Sequence, residues 1–82
     1  MVSSMITAAQ IRAARALLDW EQTALAEKSG VSAVTISAIE RSSSDPRAST
    51  LTKIQRALES AGIEFTNGAA PGVRLKPRKR KR

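Results

Sequence analysis

On a helix that turns about 100 degrees per residue, Ala33, Ser37, Arg41, Val34 and Ala38 share one arc of about 140 degrees. All but Arg41 are small. Such a surface is shallow enough to sink into the major groove of a duplex, where Ala and Val methyls match thymine methyls and Ser hydroxyls serve several base edges. Thr35, Ile36 and Ile39 take the opposite arc, about 200 to 300 degrees, and the two isoleucines give that side a core to join. The chemistry this segment can do is contact, not bond making.

Nothing else in the chain offers catalysis. His and Cys are absent, and the seven carboxylates, Asp19, Glu21, Glu27, Glu40, Asp45, Glu59 and Glu64, stand singly beside turn or helix-face residues. The many serines have no base beside them, so caps and turns account for them better than nucleophilic catalysis does. Without cysteine there is neither a disulfide scaffold nor a thiolate metal site, and no glycine-rich phosphate loop is present. The sequence therefore predicts no enzyme, no cofactor or metal, and no small-molecule ligand.

The contact face needs a helix, and the flanking residues supply its ends. Gln22 to Ser29 reads as a short helix with Leu25 and Ala26 on its inner side, and Gly30 stands past its last turn, where a left-handed backbone gives a sharp stop. Val31 and Ser32 restart the chain: Ser32 caps the next helix, and Val31 before the cap staples to Ile36. The second helix then spans 33–41. Two short helices joined by a tight turn, with a face on the second that packing does not need, make the layout of a DNA-reading helix-turn-helix.

These residues resemble the Xre/Cro-type helix-turn-helix family of phage and bacterial repressors. The resemblance rests on Gln22, Leu25-Ala26, Gly30-Val31-Ser32, Thr35-Ile36-Ser37, Ile39-Glu40-Arg41 and the later spacing of Leu51, Ile54 and Leu58, and it covers about four-fifths of the chain. Two positions depart from the family pattern: Glu21 stands where a Ser or Thr cap is usual, and Ser42 where Gly is common. The resemblance implies a mainly α fold, a compact domain of four to five helices, acting as a transcriptional regulator that binds double-stranded DNA. It implies a homodimer on an inverted-repeat operator. Base reading is expected on Ser32, Ala33, Val34, Ser37 and Ala38, with Thr35 in the same segment. Gln22 matches the family residue that grips a phosphate and braces the reading helix, and Arg15 and Glu40 match positions that pair to tie helix 1 to helix 3. Arg41, Arg47 and Thr50 flank the other edge of the face, where they would hold the DNA backbone.

The remaining residues read as scaffold. Thr7 and Gln10 have capping-box spacing and Ile6 staples to Ile11, so a first helix runs from Ala8 to Leu18 with Ile11, Ala14 and Leu18 inward. Trp20 has staple spacing to Leu25 and reads as a lid on the core. Turn formers fill 42–49, and a last helix spans Leu51 to Ala61, capped by Ser49 or Thr50, with Leu51, Ile54 and Leu58 inward and Gly62 after it. The period then becomes alternating: Ile63 and Phe65 oppose Glu64, and Val73 and Leu75 oppose Arg74. Two short strands follow, closing as a hairpin within one subunit or pairing across a two-fold axis.

Charge divides the chain. Of 14 basic residues six lie in 76–82, which leaves residues 1–75 with 8 basic against 7 acidic and a net charge of +1. The folded part must use a few well-placed cations, whereas Lys76, Arg78, Lys79, Arg80, Lys81 and Arg82 are expected to form a disordered basic tail that either binds phosphates or serves only to keep the chain soluble. The expected organisation is residues 1–62 as the helix-turn-helix domain, 63–75 as a strand pair serving dimerisation if it crosses a two-fold axis, and 76–82 as the tail. No stretch is apolar enough for a signal peptide or membrane span, so a cytoplasmic protein without a membrane partner is expected. The alternative is an antitoxin-type DNA-binding protein that also holds a partner protein. It calls for a long apolar extension, and beyond residue 62 there are only the strand pair and the tail.

Overall fold

The computed structural model describes residues 5–43, 45–66 and 70–77. In chain order these form α1 (Ala8–Leu18), α2 (Gln22–Ser29), α3 (Ala33–Glu40), α4 (Ala48–Ser60), β1 (Ile63–Thr66) and β2 (Gly72–Leu75). Of the expected tail at 76–82, residues 78–82 lie outside the described residues.

Local signals start and stop most of these elements. At α1 the Gln10 N–H donates to Thr7 Oγ1 at 3.1 Å and the Thr7 N–H to Gln10 Oε1 at 2.9 Å, the reciprocal capping box. The helix ends on Asp19 with φ 59°, and the Trp20 N–H returns to the Arg15 carbonyl at 2.9 Å, which turns the indole back against the core. Gly30 takes φ 77° after α2, where only glycine adopts that backbone without strain. Ser32 Oγ accepts the Thr35 N–H at 3.1 Å and starts α3.

The end of α3 comes at Glu40, one residue earlier than the spacing predicts, with Arg41 as its cap. Ser42 then adopts φ 57°, its N–H donating to the Ile39 carbonyl and that of Ser43 to the Ala38 carbonyl, both at 2.9 Å. The residue standing where glycine is common thus takes the glycine backbone, against a penalty of roughly 1–2 kcal/mol for an L-residue. The start of α4 corrects another expectation. It begins at Ala48 after Arg47, which is extended and makes no side-chain cap bond, so Ser49 and Thr50 lie inside the first turn. The Arg47 carbonyl accepts the N–H groups of Thr50 and Leu51 at 3.0 and 3.1 Å, and this backbone start on the exposed surface needs no hydroxyl.

Ile11 and Ala14 of α1, Leu25 of α2, Ile36 and Ile39 of α3, and Ile54 and Leu58 of α4 meet Ile63 of β1 in one buried core. Each fully buried Ile or Leu contributes about 1.5–3 kcal/mol of transfer free energy. The strands pair within the chain, antiparallel, with Ile63 opposite Leu75, Glu64 opposite Arg74 and Phe65 opposite Val73. Phe65 and Val73 are half-buried against the core, whereas Leu75 remains exposed. Gln10, itself buried, donates from Nε2 to the carbonyls of Thr66 and Gly72 at 3.2 and 2.9 Å, tying both strands to α1 with one amide. The Lys76 N–H closes the other end on the Gly62 carbonyl at 2.8 Å.

Candidate nucleic-acid interface

One side of α3 is held and the other is open. Ile36, Ile39 and Glu40 are buried, while Val34 is 80% exposed, the most open of the large apolar side chains described. Around Val34 lie half-buried Ala33, Ser37 and Ala38, with Ser32 and Arg41 exposed at the two ends. Thr35 is half-buried and engaged in the cap, its Oγ1 accepting the Ser32 hydroxyl at 2.9 Å. Arg41 Nη1 donates to Ser37 Oγ at 2.7 Å. The structure therefore gathers Ser32, Ala33, Val34, Ser37, Ala38 and Arg41 on one helix and its caps. Gln22 opens α2, half-buried, and Arg47 and Thr50 stand at the start of α4, past the turn that follows α3.

The underside of α3 is an electrostatic joint centred on Glu40. Arg15 binds this carboxylate with both arms, Nε to Oε2 and Nη2 to Oε1, each at 2.7 Å, and Arg15 Nη1 also donates to the Trp20 carbonyl at 2.9 Å. Gln22 Nε2 adds a bond to Oε1 at 3.1 Å. Burial pushes the Glu40 carboxyl up, but the hydrogen bonds from Arg15 and Gln22 and the charges of Arg15 and Arg12 outweigh it and hold the group below the usual carboxylate range. The same hydrogen bond raises Arg15 above its ordinary value against the pull of burial. Gln22 thus ties α2 to α3 through Glu40.

Arg12 is a residue that sequence reasoning passes over. Its Nη1 donates to the Glu40 carbonyl at 2.5 Å, at the C-terminal end of α3, where a cation is favourable. The signal that points to it is its spacing, three residues before Arg15 on the same face of α1. Arg12, Arg15 and Arg74 are thereby committed to the scaffold, the last pairing with Glu64. Among the described residues Arg41 and Arg47 have no such carboxylate. No group of three or more His, Cys, Asp or Glu side chains among the described residues could hold a metal ion.

A helix-turn-helix family model matches residues 11–64, from the second turn of α1 into β1. The chain belongs to the Xre-like helix-turn-helix family. This helix-turn-helix domain is a DNA-binding one, and its family is not an enzyme family. A search of curated proteins found no match to it. Among its described residues no helix is long and apolar enough to cross a membrane.

Proposed function

We propose that this chain is a sequence-specific regulator of transcription that binds double-stranded DNA as a homodimer and reads an inverted-repeat operator through residues 33–41. The observation that carries the reading is the division of α3, anchored by Ile36, Ile39 and Glu40 and presenting Val34 at 80% exposure amid small side chains. A solvated helix face ordinarily bears long polar residues. A low, partly apolar one fits a groove whose floor carries thymine methyls. Ser32, Ala33, Val34, Ser37 and Ala38 are the proposed base readers, with Thr35 holding the cap geometry.

Docking follows from the neighbouring helix starts. Neither α2 nor α4 has a side-chain cap, so their first backbone N–H groups are free to meet phosphates, helped by the helix dipole. Gln22 at one and Arg47 and Thr50 at the other are the proposed phosphate contacts, and the basic run 76–82 adds sequence-independent attraction. A two-fold dimer spaces its reading helices about 34–36 Å apart, which places half-site centres about 10 base pairs apart or a multiple of that. The test is site selection from a random duplex pool with wild type, Ala33→Arg and Val34→Arg. Each variant should change the preference at one or two base pairs per half-site; an unchanged motif in both removes α3 from the reading role.

A further inference from the structure

Arg41 is the one long side chain on a face otherwise built of small ones. It caps the C-terminal end of α3, and a short side chain there would lie far from base edges when the opposite end of the helix enters the groove. Its guanidinium does not stay at that end. The 2.7 Å bond from Nη1 to Ser37 Oγ draws it back by one turn toward the N-terminus, the direction helical side chains favour. The angular position of Arg41 also falls between those of Ser37 and Val34, in the middle of the exposed arc. Its only partner among the described residues is that neutral hydroxyl, so the remaining donors of the fork are open.

We propose that Arg41 reads a guanine in each half-site and that Ser37 positions it, an assignment that rests on α3 being the reading helix. A guanidinium offers parallel donors that match the O6 and N7 acceptors guanine displays together in the major groove. Phosphates are met at the rim of a reading face, and a hydroxyl that draws the fork inward works against a backbone clamp. The phosphate contact expected for Arg41 from the sequence gives way to base readout because the bond to Ser37 relocates the charge.

The experiment uses the full chain as wild type, Arg41→Ala, Ser37→Ala and Val34→Arg. Sites are selected from a random duplex pool, and affinities are measured on the selected duplex with the guanine intact, changed to adenine, or replaced by 7-deazaguanine, which lacks the N7 acceptor. Wild type should require one guanine per half-site, losing about 5- to 100-fold on the change to adenine and several-fold on the loss of N7. Arg41→Ala should bind the three duplexes alike and select sites open at that position. Ser37→Ala should relax the same position by about 2- to 10-fold, and no change there removes Ser37 from the positioning role. Equal weakening of Arg41→Ala on every duplex, with guanine kept in its motif, makes Arg41 a phosphate contact and overturns the proposal. Val34→Arg separates the two failures: a motif moved by Val34→Arg but not by Arg41→Ala rejects Arg41 alone, whereas a motif moved by neither rejects α3 as the reader and Arg41 with it. A wild type that selects no motif has the same consequence. Thermal melting confirms that the variants at these surface positions are folded.

Discussion

Arg15–Glu40 and Arg74–Glu64 are matched in length, at 2.7 and 2.6 Å, yet the first pair is 20% and 3% exposed and the second 69% and 44%. The buried pair is bidentate and shares its carboxylate with Gln22, so α1, α2 and α3 converge on one group. The hairpin pair is a single contact between residues already opposed by strand register. Length is therefore a poor measure of worth. In water the Coulomb gain is screened and two long side chains must be held still, whereas a buried carboxylate that loses its partner retains the whole penalty of desolvation. The two regions accordingly rely on different forces: the helices on a shared charge beneath α3, the hairpin on Ile63, Phe65, Val73 and the amide of Gln10.

The strongest way to break this contrast is Glu40→Ala, which should lose about 3 kcal/mol by urea denaturation, the low end of the range for a broken buried pair because Arg15 keeps a fifth of its side chain in water. A loss below about 1 kcal/mol would put both pairs in one class. The carboxyl of folded Glu40 lies below its ordinary range, so its contribution is fully present above the unfolded value of about 4.3 and disappears as pH falls through the lower folded value. Wild type should lose stability on acidification below about pH 5, and Glu40→Gln should lose less across that window.

Gln22→Ala sharpens the contrast at intermediate size. Removing one hydrogen bond to a charged oxygen should cost about 1–2 kcal/mol, and under the proposed docking it should weaken binding to operator and random DNA alike. A loss confined to the operator separates Gln22 from the phosphates. The smallest effect belongs to Glu64→Ala, below about 1 kcal/mol and vanishing at high salt in the same urea series. A salt-independent loss as large as that of Glu40→Ala would refute the distinction drawn between the pairs.

Much of the architecture is legible in short-range spacing. The Thr7–Gln10 box, the Ser32 cap, Gly30 and the apolar positions of α4 each act within one or two helical turns, and each stands where the spacing predicts. The start of α4 is less legible, since Ser49 and Thr50 have cap chemistry while an extended Arg47 begins the helix through its carbonyl alone. The candidate site is readable as a face, because the angular count separates Ile36 and Ile39 from Val34. It is not readable as a set of bonds. Residue order puts Arg41 four positions after Ser37 and Arg12 three before Arg15, but it does not disclose that the Arg12 guanidinium reaches the end of α3.

The sequence by itself determined the elements, most of their ends and the sides they bury, because caps, turns and periodicity operate between residues a few positions apart. Only the tertiary structure decided where spare donors find acceptors. The Gln10 amide meets carbonyls 56 and 62 positions away. Arg12 reaches the Glu40 carbonyl across 28 positions, and the two strands close on each other within the chain. Local spacing cannot assign such partners: a polar group leaves water only where packing brings a matching one to it, and that meeting depends on the whole fold.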